Sequence, residues 1–207
     1  MKSRNLGGVL VVGLVAGWLL TSGPRPTVHK IHAGMFGGSG VSVATARGQT
    51  LVLTANHVVK DGGPYTVNGK PAVLVATDSE WDLAALVVNE TLPVSRLSKH
   101  FPLINDTLTI CGYGTGTYRE ATGQVVGYAT ADQIYMDWAH INKDARSGDS
   151  GGPMFYPDNT VGAILWGSDN VGAYGTQCLR VRDFLATIKG YDSLLKTLDL
   201  DYTIWGR

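Results

Sequence analysis

The chain contains the hexapeptide Gly148-Asp149-Ser150-Gly151-Gly152-Pro153. A serine set between glycines allows the backbone to turn sharply and to come close to a substrate. Such a turn can direct successive backbone N–H groups at one point, where they would stabilise a developing oxyanion. A serine hydroxyl is a weak nucleophile on its own, so this interpretation requires a base and a group that orients the base.

Both of these groups occur upstream of the hexapeptide, each at the edge of an apolar, β-branched run. The candidate base, His57, closely follows one such run, and the candidate acid, Asp82, directly precedes the run 83–88. Runs of this kind predict buried strands. Asp78 and Glu80 compete for the role of the acid, but only Asp82 lies directly before the strand. The chain order is histidine, aspartate, serine, which differs from the subtilisin and α/β-hydrolase orders.

These motifs resemble the trypsin-like serine proteases of the chymotrypsin fold (PA clan), in the short bacterial or viral form similar to the HtrA/DegP catalytic domain without a PDZ domain. The resemblance rests on residues 38–59, on Asp82-Leu83-Ala84 and on residues 148–153, which match the family's nucleophile motif without a change. It implies an all-β fold of two six-stranded antiparallel β-barrels, followed by a C-terminal helix. The 27 glycines agree with this fold, because they separate short β runs.

The same resemblance implies a serine endopeptidase that hydrolyses peptide bonds through an acyl-enzyme intermediate. His57 would be the general base, Asp82 its orienting acid and Ser150 the nucleophile. The backbone N–H groups of Gly148 and Ser150 would form the oxyanion hole. Two alternatives stay open: a catalytically inactive binding or chaperone-like module on the same fold, and an esterase with a G-x-S-x-G elbow, which the lack of alternating helices disfavours.

The resemblance also predicts four residues that bind the substrate, namely Asp144, Trp166, Gly167 and Gly172. Asp144 lies six residues before Ser150, the spacing at which trypsin-like enzymes place the acid at the floor of their primary pocket. A buried carboxylate there would select Arg or Lys before the scissile bond, because it would otherwise be left unpaired. The alternatives are that Arg146 neutralises Asp144, or that Asp144 is an ordinary solvated loop acid.

Charge and cysteine content limit the remaining classes of function. The 207 residues carry 17 Lys and Arg against 17 Asp and Glu, so the net charge of zero gives no electrostatic case for nucleic acid as a partner. The expected partner is a protein or peptide substrate, with no cofactor and no metal site. The two cysteines, Cys111 and Cys178, could pair outside the cytoplasm, but their spacing does not show whether they meet.

Residues 1–23 are predicted to be a separate module. Lys2 and Arg4 precede an uncharged stretch whose apolar centre covers residues 6–20, which is the form of a secretory signal. The centre is short for a membrane span and no cleavage site is clear, so a cleaved signal peptide and a retained membrane anchor through residues 5–23 both stay open. Either one would place the catalytic part outside the cytoplasm, secreted, periplasmic or membrane-anchored.

The rest of the chain is divided by its strand and turn signals. Residues 24–37 are expected to be a linker, 38–100 the N-terminal barrel, and 101–207 the C-terminal barrel with its helix. Within the linker, the segment 30–34 faintly resembles the activation cut of trypsin zymogens, but His32 and Ala33 depart from it, and no such cut is expected.

Two local predictions concern the second half. Residues 134–136 read as a strand of the second barrel, and residues 181–198 as a helix with one apolar face, which Gly190 interrupts.

Overall fold

The computed structural model describes residues 24–129 and 138–198. The predicted signal or anchor of residues 1–23 and the predicted strand 134–136 lie outside the described residues. Within the described ranges, no helix has both the length and the apolar character that crossing a membrane requires. Two closed six-stranded antiparallel barrels dominate these ranges, which confirms the predicted fold class.

The first barrel closes through the strand order β1-β2-β3-β6-β5-β4. Its strands are β1 (Val28–Ala33), β2 (Phe36–Ala46), β3 (Gln49–Thr54), β4 (Tyr65–Val67), β5 (Lys70–Asp78) and β6 (Leu83–Val88). A single helical turn, α1 (Asn56–Val59), follows β3 directly.

The second barrel closes through the order β10-β11-β12-β9-β8-β7. Its strands are β7 (Thr107–Gly112), β8 (Arg119–Ala129), β9 (Trp138–Ile141), β10 (Pro153–Phe155), β11 (Val161–Ser168) and β12 (Ala173–Gln177). Helices α2 (Cys178–Thr187) and α3 (Asp192–Leu195) follow the barrel.

The central strand pair of the first barrel brings two distant segments together. All six residues of β6 are buried, and β6 pairs with β3 in an antiparallel register that sets Thr54 opposite Ala84. The end of β3 therefore lies beside the start of β6. Because His57 comes three residues after Thr54 and Asp82 comes two residues before Ala84, this register alone places both near one end of the barrel.

One buried apolar cluster joins the two barrels. It contains Leu53 and Val87 of the first barrel, Phe155 and Ile164 of the second, and Phe184 of α2. Interiors of this kind are close-packed and resist sliding. The cleft between the barrels is therefore held by shared core packing as well as by the connecting chain.

The predicted linker 24–37 is wrong for most of its length. Its residues 28–33 form β1, where Ile31 is fully buried and pairs with Gly38 on one side and Val67 on the other. The first barrel needs this strand, because β1 supplies the pairing that closes β4 onto β2. The Lys30–Ile31 bond consequently lies inside a barrel strand.

The C-terminal helix also differs from its prediction. It begins earlier, at Cys178, where the side chain of Gln177 accepts a hydrogen bond from the N–H of Leu179 as an N-cap. It ends at Thr187, before Gly190, whose φ of +82° breaks the predicted run.

The two cysteines, Cys111 and Cys178, are buried and free, and burial raises the pKa of each thiol to about 12.

A buried histidine occupies β1. The His29 side chain is 1% exposed, and its Nδ1 accepts a hydrogen bond of 3.0 Å from the amide Nδ2 of Asn68. An amide nitrogen can only donate, so Nε2 carries the proton and donates to Ser42 Oγ at 2.8 Å. Burial lowers the pKa of His29 to about 4.

This pKa makes the fold acid-sensitive. Since the folded-state pKa lies below the ordinary value of 6.5, the unfolded chain binds more protons between pH 6.5 and pH 4, and stability is lost as the pH falls through that window. We expect the free energy of unfolding to fall by up to about 3 kcal/mol from this group. Urea titrations across that range should show a flatter dependence for His29→Gln, while the exposed control His100→Gln should match the wild type. Equal slopes for His29→Gln and the wild type would contradict the assignment.

Candidate active site

The structure brings His57 and Asp82 into a two-point contact. One carboxylate oxygen of Asp82 accepts the backbone N–H of His57 at 2.7 Å, and the other lies 2.5 Å from Nδ1 of its ring. This contact holds the proton on Nδ1 and leaves Nε2 as the basic nitrogen. The competing carboxylate, Asp78, instead accepts the N–H groups of Glu80 and Trp81 in its own turn.

The second barrel supports the segment that carries the acid. Asp82 has a φ of +50°, in the left-handed region that aspartate tolerates better than most residues. The preceding carbonyl, of Trp81, accepts a 2.6 Å hydrogen bond from the buried hydroxyl of Thr176 on β12. The guanidinium of Arg180 on α2 lies 5.1 Å from the centre of the Trp81 ring. Packing across the barrels thus fixes the position of Asp82.

The hexapeptide folds into a turn whose N–H groups divide into two sets. The N–H groups of Asp149, Gly151 and Gly152 donate to backbone carbonyls at 2.7–2.9 Å. Within residues 24–129 and 138–198, the N–H groups of Gly148 and Ser150 have no such partner. Gly148 has a φ of +96°, a conformation that a side chain would strain. The two predicted oxyanion donors are therefore available at one turn.

The same turn lies against the elements that carry His57. The carbonyl of Ser150 accepts the N–H of Ser39 on β2 at 2.8 Å. A Cβ added to Gly38 would stand 2.8 Å both from that carbonyl oxygen and from the side chain of Val58, the neighbour of His57. The predicted nucleophile and the predicted base are thus set on adjoining segments across the barrel boundary.

An ion pair fixes the turn from beneath: it joins the carboxylate of Asp149, which is 0% exposed, to Arg119, whose side chain is 17% exposed. Oδ1 of Asp149 accepts the N–H of Gly114 at 2.7 Å, and Oδ2 accepts the N–H of Arg146 at 2.9 Å. Oδ2 also lies 2.5 Å from Nη1 of Arg119, the first residue of β8. A Cβ on Gly114 would stand only 2.6 Å from Oδ1, so the carboxylate requires glycine there. Burying this carboxylate would be costly without the guanidinium.

The predicted substrate-binding residues fall into two groups. Trp166 lines a cleft of about 570 Å³ together with His57 and Asp82, and Gly167 and Gly172 lie at the β11–β12 hairpin beside it. Asp144 is exposed. The prediction of a buried carboxylate at this position, on which the preference for Arg or Lys depended, is therefore wrong. The chain leaves β9 three residues earlier and runs over the surface at this point, which keeps Asp144 in solvent.

The family is defined by a direct match. Residues 38–164, more than half of the chain, match the model of the trypsin-like peptidase domain. The chain therefore belongs to the trypsin-like peptidase family. No curated protein matches it in sequence.

Solved structures agree on the fold. The serine endoprotease from Yersinia pestis superposes with a TM-score of 0.67 at 23% identity, over 77% of this chain and 61% of the Yersinia chain. The chain thus spans less than two thirds of that protein. The active form of the Rv3671c protease from M. tuberculosis superposes with a TM-score of 0.67 at 23% identity, over 79% of this chain and 81% of its own.

Two structural partners of the site escaped the sequence reasoning. Arg119 and Thr176 lie in strands, 30 or more residues from the groups they hold, and neither is part of a motif. The signal in the sequence that could have indicated a packed environment for Asp149 is the pair Gly112 and Gly114, because the lack of a side chain at each leaves room for its carboxylate.

Removal of the cation that pairs with Asp149 should disable the turn. Arg119→Met leaves Asp149 unpaired, and we expect a loss of about 3–5 kcal/mol in unfolding free energy and at least about 10²-fold in kcat for peptide hydrolysis. The double variant Arg119→Met/Asp149→Asn should regain stability without regaining kcat, because no buried charge remains but the turn lacks its anchor. The exposed control Arg96→Met should behave as wild type. Normal kcat in Arg119→Met would show that the ion pair does not position the turn.

Proposed function

We propose that this protein is a serine endopeptidase in which Ser150 is the nucleophile, His57 the general base and Asp82 the group that orients the base. The contact of both Asp82 oxygens with His57 carries the proposal, because it prepares a histidine for base catalysis beside a nucleophile turn with two free N–H groups. The family of the chain supports the same class of reaction and a protein or peptide as the substrate.

In the first half of the reaction, Ser150 Oγ attacks the carbonyl carbon of the scissile peptide while Nε2 of His57 takes its proton. The carbonyl oxygen becomes an oxyanion, which the N–H groups of Gly148 and Ser150 stabilise. Asp82 stabilises the imidazolium that forms. Collapse of the intermediate breaks the C–N bond, and His57 passes its proton to the leaving amine.

In the second half, water replaces the amine. His57 takes a proton from the water, which attacks the acyl-enzyme ester, and the same two N–H groups hold the second oxyanion. Return of the proton to Ser150 Oγ releases the carboxylic acid product. The cycle needs only groups that this chain supplies, and an inactive binding module would not require both the oriented base and the open N–H groups.

The proposal includes a location outside the cytoplasm, secreted, periplasmic or membrane-anchored. Its support is the charge pattern of residues 1–23, in which Lys2 and Arg4 precede an uncharged stretch. Fractionation of the full chain, compared with the chain from residue 24 onward, tests it. Retention of the full chain in the cytoplasm would contradict it.

A substitution that removes a single oxygen atom tests the nucleophile. Ser150→Ala should abolish peptide hydrolysis and covalent labelling by a fluorophosphonate while leaving the unfolding transition unchanged, because only the Oγ is removed. Ser147→Ala, an exposed serine three residues away, is the matched control and should retain both activities. Labelling of Ser150→Ala at another serine would refute the assignment.

The orienting acid is tested in the same way. Asp82→Asn preserves the shape of the side chain but favours the wrong histidine tautomer, so kcat should fall about 10⁴-fold. Asp78→Asn is the matched control, since an amide oxygen can still accept the N–H groups of its turn. A normal rate for Asp82→Asn together with a low rate for Asp78→Asn would exchange the two roles.

A further inference from the structure

The loop between β7 and β8, residues 113–118, lies against the nucleophile turn. The backbone N–H of Thr115 donates to the carbonyl of Ser147 at 2.8 Å. A Cβ added to Gly148 would stand only 2.9 Å from the carbonyl oxygen of Tyr113, so the two segments are in close backbone contact. A shift of this loop would therefore move Gly148, whose N–H is one of the two proposed oxyanion donors.

The β7–β8 loop needs support from outside. Its tip, residues 115–117, is exposed, and Thr115 has a φ of +59°, which is unfavourable for a β-branched side chain. Lys30 of β1 supplies one contact, since its Nζ donates to the carbonyl of Gly116 at 3.0 Å. The same Nζ lies 5.6 Å from the centre of the Tyr113 ring. A cation of the first barrel thus holds the loop on which the nucleophile turn rests.

Arg25, just before β1, supplies a second contact at the other end of the loop. Its Nε donates to Oε1 of Glu120 at 2.9 Å, and its Nη2 donates to Oε2 at 3.3 Å. The guanidinium also donates to the side-chain oxygen of Asn159 and lies 4.8 Å from the centre of the Phe155 ring. The hydrogen bond from Arg25 holds the pKa of Glu120 below its ordinary value. Glu120 is therefore a charged partner with a fixed position.

Glu120 is the sequence neighbour of the cation that anchors the nucleophile turn. Arg119 and Glu120 open β8, and consecutive side chains of a strand point to opposite faces. Arg119 pairs with Asp149 of the turn, whereas Glu120 pairs with Arg25. The start of β8 is thus held from both faces. Release of Arg25 would free one face and loosen the placement of the Arg119 guanidinium.

We propose that Arg25 and Lys30 are positioning residues, which hold the β7–β8 loop and the start of β8 against the nucleophile turn and thereby raise kcat for peptide hydrolysis. The proposal rests on the proposed function, because it assigns positioning residues to the same site. Neither residue lines the cleft that contains His57, so their effect falls on kcat and leaves KM nearly unchanged.

The test measures kcat and KM of full-chain variants, with active sites counted by fluorophosphonate labelling carried to completion. Arg25→Met removes the charge but keeps an apolar contact with Phe155. It should lower kcat per labelled site about five- to tenfold and leave KM within about twofold. Arg25→Lys keeps the charge but loses the bidentate contact, so its loss should be smaller. Lys30→Met should lower kcat about two- to threefold.

A double variant tests whether the contact with Glu120 carries the effect. Glu120→Gln removes the charge and keeps an oxygen that can accept the hydroxyl of Tyr118. The variant Arg25→Met/Glu120→Gln should lose no more kcat than Arg25→Met alone, because both changes break one contact. Losses that multiply would show that the two residues act separately, which would overturn the proposal.

Lys70→Met is the matched control. It removes an ion pair of the first barrel, with Glu90 at 2.6 Å, and should leave kcat and KM as in the wild type. A wild type that the fluorophosphonate does not label would refute the proposed function. A labelled wild type together with a normal kcat per labelled site in Arg25→Met would refute only the positioning role. A smaller labelled fraction at unchanged kcat per labelled site would also refute it, because Arg25 would then act on stability alone.

Discussion

The buried carboxylate of Asp149 is the constraint on which the site depends. It accepts two backbone N–H groups and pairs with Arg119, and these contacts join the segment that follows β7, the start of β8 and the nucleophile turn. A charge at 0% exposure is tolerated only when its partners are in place, so the turn is held in one conformation. That conformation leaves the N–H groups of Gly148 and Ser150 open. The proposed oxyanion site thus follows from an electrostatic requirement of the core.

This anchoring explains why the zymogen resemblance has no structural counterpart. The amine that would arise after Lys30 belongs to Ile31, which lies fully buried between two strands of the first barrel. The carboxylate of Asp149 already has a cationic partner in the uncut chain, namely Arg119. The turn is therefore complete in the uncut chain.

The sequence predicted the features that contiguous motifs encode, but it did not predict the features that depend on contacts between distant residues. The hexapeptide and the strands next to His57 and Asp82 are contiguous patterns, so the fold class and the candidate site residues could be named in advance. Strand β1 was missed because His29 and Lys30 interrupt its apolar pattern, and His29 is buried only through partners supplied by other segments. The predicted burial of Asp144 was wrong for a different reason, because the spacing between two residues does not show whether a side chain is buried.

The acyl-enzyme is the species that tests the account most directly. The uncut chain would be mixed with an activated ester, quenched in acid within the first turnover, and mapped by mass spectrometry. The account predicts one acyl group on Ser150 in a protein whose Lys30–Ile31 bond is intact. An adduct on another residue, or acylation only after cleavage at that bond, would contradict it.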